Sequence, residues 1–88
     1  MTSKTVTVGS SVGLHARPAA VIAQAASAAS SPVTISKPGG TPVDAGSALL
    51  IMTLGAKMGD EVVVESEDDE LVETIAGLVE DDLDSQPA

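Results

Sequence analysis

The chain has 88 residues, a net charge of -9 and no Phe, Tyr, Trp or Cys. That length supports one cored unit, so residues 1–88 are read as a single domain; the lack of cysteine excludes disulfides, thiolate nucleophiles and thiolate metal sites together. Charge is segregated: residues 1–59 carry Lys4, Arg17, Lys37 and Lys57 against Asp44, a net of +3, while residues 60–88 carry twelve acids and no base, which argues against a nucleic-acid binder built on many Lys and Arg phosphate contacts.

A core without aromatic rings must come from Val, Ile, Leu, Met and Ala, each large aliphatic contributing roughly 1.5 to 3 kcal/mol when fully buried. The opening MTSKTVTVGS has no apolar run of the signal-peptide kind, and nothing approaches the ~18 apolar residues of a membrane span, so a soluble cytoplasmic protein is expected. Lys4 to Val8 reads as a strand with Val6 and Val8 on one face and Thr5 and Thr7 on the other. Ala16 to about Ala29 reads as a helix with Val21, Ile22, Ala25, Ala26 and Ala29 as its apolar stripe, closed by Pro32. Val33 to Ser36 alternates as a strand, Lys37 to Pro42 is a turn, and a short strand near Val43 completes a hairpin. Ser47 caps a short helix through Leu50 and Met52 that Gly55 ends. Glu61 to Ser66 is a strand around Val62, Val63 and Val64, and Asp68 or Asp69 caps a last helix with Leu71, Ile75, Leu78 and Val79 on one face. Gly77 weakens that helix, and Glu80, Asp81, Asp82 and Asp84 oppose its dipole. The order β-α-β-β-α-β-α with short connections predicts an α+β fold, a mostly antiparallel sheet with helices on one face and water on the other. The acid-rich third reads as a solvated helix face and a tail, with steering of a basic partner as the other reading.

The only histidine, His15, stands two residues before the only arginine, Arg17, in Gly13-Leu14-His15-Ala16-Arg17-Pro18. A helix opening near Ala16 leaves its first backbone N–H groups without intrahelical acceptors, pointed toward the histidine. An anion there gains ~0.3 to 1 kcal/mol when exposed and up to ~2 when partly buried, and a bond from Arg17 adds about 1.5 to 3 kcal/mol. Pro18 loses no helical bond within the first turn. Its bias against α geometry in the preceding residue leaves open whether the regular helix starts at Ala16 or later. Neither a second histidine nor a tuned Ser or Cys nucleophile accompanies His15, so metal ligation and acid–base hydrolysis are disfavoured and no cofactor or metal is expected. A neutral imidazole beside an anion cradle suits phosphoryl acceptance.

Residues Gly13 to Pro18, the Lys37 to Pro42 turn and the segment Ser47-Ala48-Leu49-Leu50-Ile51-Met52-Thr53-Leu54-Gly55 resemble the HPr family, the histidine-containing phosphocarriers of the bacterial phosphoenolpyruvate-dependent sugar phosphotransferase system. The resemblance spans nearly the whole chain. It implies an open-faced β-sandwich, a four-stranded antiparallel sheet with three helices on one face. It also implies that His15 takes a phosphoryl group from enzyme I through Nδ1 and passes it to enzyme IIA domains, with Ala16, Arg17 and Pro18 at the phosphate. The protein would then be a monomeric carrier with a transient phosphohistidine rather than a free-standing enzyme.

Ser47 matches the position that a dedicated HPr kinase modifies in some family members, although Gly46 and Ala48 flank it here in place of a basic and a bulky residue. Its simpler reading is a helix cap worth about 1 kcal/mol. By periodicity, Leu49, Leu50, Met52 and Met58 belong to the core; by resemblance, Leu49 and Met52 are partly exposed partner contacts. The rival readings are a regulatory module acting through Ser47 and a carrier serving a regulatory chain in place of sugar uptake.

Overall fold

The computed structural model describes residues 2–9, 13–14 and 16–80. Along them run β1 (Thr2–Thr7), α1 (Ala16–Ala28), β2 (Val33–Ser36), β3 (Val43–Asp44), α2 (Ala48–Thr53), β4 (Glu61–Ser66) and α3 (Asp69–Glu80), in the order the sequence predicts. The strands form one antiparallel sheet in the order β1-β4-β2-β3, so the late strand β4 is inserted between β1 and β2.

Two-residue alternation builds the sheet's apolar face. Val6 lies opposite Val62 and Ile35 opposite Val64, and these four side chains are buried with Val33. Ser3, Thr5 and Thr7 are exposed on the open face, as their polarity requires. The first strand lies two residues earlier at its start than the apolar pattern suggests, because β4 is long enough to pair Thr2 with Ser66. Val8, expected to end that strand, leaves the ladder but stays buried, and its N–H donates to the Asp60 carbonyl at 2.8 Å. Lys4 occupies the helix-covered face near the edge and reaches Glu73 of α3 at 3.0 Å.

Helix α1 buries Pro18, Ala19, Ile22, Ala23 and Ala26. The predicted stripe is rotated: Val21, Ala25 and Ala29 are only half-buried. Packing against both α2 and α3 selects the face bearing Ala19 and Ala23, where small side chains allow close approach. The Asp68 carboxylate accepts from the Glu70 and Leu71 amides at 3.1 and 3.3 Å, which makes Asp68 the cap of α3. That helix buries Leu71, Val72, Ile75, Ala76 and Val79 over β1 and β4, with Leu78 half-buried. The acids expected to oppose its dipole beyond Glu80 lie outside the described residues.

Helix α2 departs most from the periodic reading. Its only buried side chain is Ile51, while Leu49, Leu50 and Met58 are exposed and Met52 is half-buried. A helix of six residues presents one narrow face to α1 and β3, and Ile51 takes it. Periodicity alone therefore misplaces Leu49, Leu50 and Met58 in the core, whereas the expectation that Leu49 is at least partly exposed agrees with its position.

Candidate functional site

Five residues of the Gly13 to Pro18 motif are described; His15 lies outside the described residues. Gly13 has φ +73, and a Cβ there would come within 2.4 Å of the Ala56 carbonyl oxygen and 2.8 Å of the Lys57 Cα. Only glycine tolerates both the dihedral and the approach. The Leu14 N–H donates to that Ala56 oxygen at 2.9 Å, and the Leu14 side chain is buried in the core. On the other side, Ala16 opens α1 and Arg17 is exposed, so the regular helix begins at the earlier of the two starts left open. Pro18 is fully buried inside the first turn, where a residue without an N–H leaves no helical acceptor unmatched.

The segment after α2 supplies the other wall, and sequence reasoning missed it. The Gly59 N–H donates to the Val8 carbonyl at 3.0 Å, and the Asp60 N–H to the Lys57 carbonyl at 2.9 Å. One Asp60 carboxylate oxygen also accepts the Lys57 N–H at 3.0 Å. Residues 56–60 are thus tied to the end of β1 and to the motif. Gly55 and Gly59, both at positive φ, bracket this loop; they were the available signal, and Gly55 was read only as a helix end.

The Ser47 side chain accepts from the Leu50 N–H at 3.3 Å and caps α2, as expected. Gly46 precedes it for a local reason: its N–H donates to an Asp44 carboxylate oxygen at 2.8 Å and its carbonyl accepts from the Ser27 hydroxyl at 3.1 Å. A Cβ at Gly46 would lie 3.1 Å from the Asp44 oxygen and 3.2 Å from the Ser27 oxygen. Leu49 is 70 % exposed and Met58 63 %. The half-buried Met52 meets the expectation of partial exposure.

Among the described residues no three His, Asp or Glu side chains converge on a metal position. An open groove of about 570 Å³ lies near the far end of α1, lined by Ser27, Ser30, Ser31, Thr34 and Asp44 among others, away from the motif. No helix among the described residues is long and apolar enough to cross a membrane.

The family model described as "PTS HPr component phosphorylation site" matches residues 2–81. The chain belongs to the HPr family. It is 42% identical over 90 residues to the phosphocarrier protein HPr of Streptomyces coelicolor, covering 99% of this chain and 97% of that one. Among solved structures it is similar to HPr-C-His from Thermoanaerobacter tengcongensis, with a TM-score of 0.85, 33% identity and coverage of 99% and 100% of the two chains. It is likewise similar to a phosphocarrier protein HPr from Bacillus anthracis, with a TM-score of 0.82, 33% identity and coverage of 89% and 95%. The four-stranded sheet with three helices is the open-faced sandwich of HPr structures. Function follows the family: this is a phosphocarrier of the phosphotransferase system, whose partners are proteins of that system.

Proposed function

We propose that His15 is the phosphoryl-carrying residue, taking the group from phospho-enzyme I and giving it to an enzyme IIA domain in the cytoplasm. The observation that carries this is the start of α1 at Ala16, immediately after the histidine, with the preceding residues locked by Gly13 and the Leu14 to Ala56 bond. The Nδ1 lone pair of the neutral imidazole, protonated at Nε2, forms the N–P bond while the bond from phosphorus to the donor's leaving atom breaks. The first amides of α1, those of Ala16 and Arg17, and the Arg17 guanidinium balance the negative charge that arrives. Pro18 contributes by its fixed φ within the first turn and, lacking an N–H, does not itself donate. Leu49 and Met52 contact the partner.

This grip is light, which suits a carrier. Each ~1.4 kcal/mol of extra hold would bias the exchange tenfold toward retention. Incubation with phosphoenolpyruvate and enzyme I tests the reading: an acid-labile, alkali-stable phosphoryl adduct forms on the wild type and is absent from His15→Ala. Labelling of His15→Ala to the same extent would sink it. Arg17→Ala should slow transfer roughly ten- to hundredfold, the equivalent of one charge-assisted bond.

A second proposal concerns Ser47, whose hydroxyl lies half-buried at the start of α2 in the position that family kinases use. A phosphoryl group there would act by charge on partner docking. Exposure to an HPr kinase and ATP, followed by mapping of the modified residue, decides it; an unlabelled Ser47 removes the idea.

A further inference from the structure

The peptide group joining Ala56 to Lys57 is held at both ends. Its carbonyl oxygen accepts the Leu14 N–H at 2.9 Å, and its N–H donates to a carboxylate oxygen of Asp60 at 3.0 Å. Asp60 takes the other backbone group of Lys57 as well, because its own N–H donates to the Lys57 carbonyl at 2.9 Å. These two bonds close the turn from Lys57 to Asp60, with Gly59 at φ +90 in the third position, where a type II turn calls for a positive φ. The turn is moored to the sheet: the Asp60 carbonyl accepts the Val8 N–H, the Gly59 N–H donates to the Val8 carbonyl, and β4 begins at Glu61. Toward the motif there is no slack, since a Cβ on Gly13 would come within 2.4 Å of the Ala56 oxygen and 2.8 Å of the Lys57 Cα. Leu14 and Ala56 are buried and Asp60 is half-buried.

We propose that Asp60 is a positioning residue for phosphoryl transfer, its carboxylate fixing the peptide whose Ala56 carbonyl holds the Leu14 amide, one residue before His15. This rests on the reading of His15 as the acceptor. An anion that accepts the N–H of a peptide polarises the whole group and makes its carbonyl a stronger acceptor, so the bond to Leu14 tightens. Orientation matters more. Without the carboxylate the Lys57 N–H turns toward water, and because the peptide is planar the Ala56 carbonyl turns with it, away from Leu14. Transfer between two proteins needs the attacking nitrogen in place when the donor arrives, and a misplacement on the order of 1 Å costs up to about a hundredfold in rate. Asp60 therefore acts through the backbone of the motif and not on the phosphoryl group.

The test is single-turnover transfer from excess phosphorylated enzyme I to wild type, Asp60→Asn and Asp60→Ala, with amide hydrogen exchange followed on the same three proteins. The expected result is a rate constant at saturating enzyme I about tenfold lower in Asp60→Ala, with the half-saturating concentration within about twofold of wild type. Asp60→Asn keeps an oxygen that accepts the Lys57 N–H and stays within about threefold of the wild-type rate. In Asp60→Ala the Leu14 amide exchanges faster by a larger factor than the Val64 amide of β4, which reports opening of the sheet. A wild-type rate constant in Asp60→Ala overturns the proposal while leaving His15 in place. An equal change in Asp60→Asn and Asp60→Ala overturns it in favour of the charge alone, and a defect confined to the half-saturating concentration overturns it in favour of partner contact. Leu14 and Val64 amides that quicken by the same factor overturn it in favour of a general loosening of the fold. A wild type that takes no label overturns both this proposal and the one it rests on.

Discussion

Gly13 shows how one residue can set the geometry of a site it takes no chemical part in. Its positive φ turns the chain, and the missing Cβ lets the Ala56 carbonyl come close enough to accept the next amide. Gly13→Ala should cost about 2 kcal/mol or more, combining left-handed strain with a contact no real Cβ shows, read as a lower urea midpoint; a midpoint equal to wild type would mean that the loop relaxes freely. Ser47 is a smaller case of the same kind. Ser47→Ala removes one cap and should cost about 1 kcal/mol, and a loss below a few tenths would show that the Leu50 amide finds water instead.

Among the elements, β2 and β4 were legible residue for residue, because Val33, Ile35, Val62 and Val64 alternate with residues that tolerate water. The motif Gly13 to Pro18 was legible for a different reason: it combines the one histidine, the one arginine and a helix start within six residues. The buried face of α1 was not, since alanines stand on several sides of that helix and only contact with α2 and α3 chooses among them. Helix α2 misled because four large apolar residues in or near six helical positions imitate a core stripe, while the fold has room for Ile51 alone. The loop at residues 56–60 escaped notice because its role consists of backbone bonds to residues over forty positions away. Helix α3 carries one more consequence. Gly77 is exposed and a Cβ added there meets nothing within 4 Å, so Gly77→Ala should stabilise the protein by about 0.5 to 1 kcal/mol; a destabilised variant would place an unseen contact at that face.

At the scale of the whole molecule, the acidic final third and the basic remainder meet where Lys4 of β1 reaches Glu73 of α3. The hydrogen bond from Lys4 to Glu73, and then their mutual attraction, raise the Lys4 pKa above its ordinary 10.5. A pKa raised by folding means that the pair stabilises fully below the unfolded-state value and loses its effect as the pH climbs through the folded-state value. Lys4→Met should therefore unfold at a lower temperature than wild type at neutral pH, with the gap closing in strong alkali; coincident melting at neutral pH would show that solvent screens the pair completely. Arg17, Leu49, Lys57 and Met58 are exposed as well. The central claim, that His15 carries the phosphoryl group, is tested most directly by phosphorus–proton correlation NMR on the protein labelled by enzyme I and phosphoenolpyruvate. The predicted result is a single phosphorus coupled to the imidazole of His15 at Nδ1. Phosphorus found on a serine, or a fully competent His15→Ala, would contradict it.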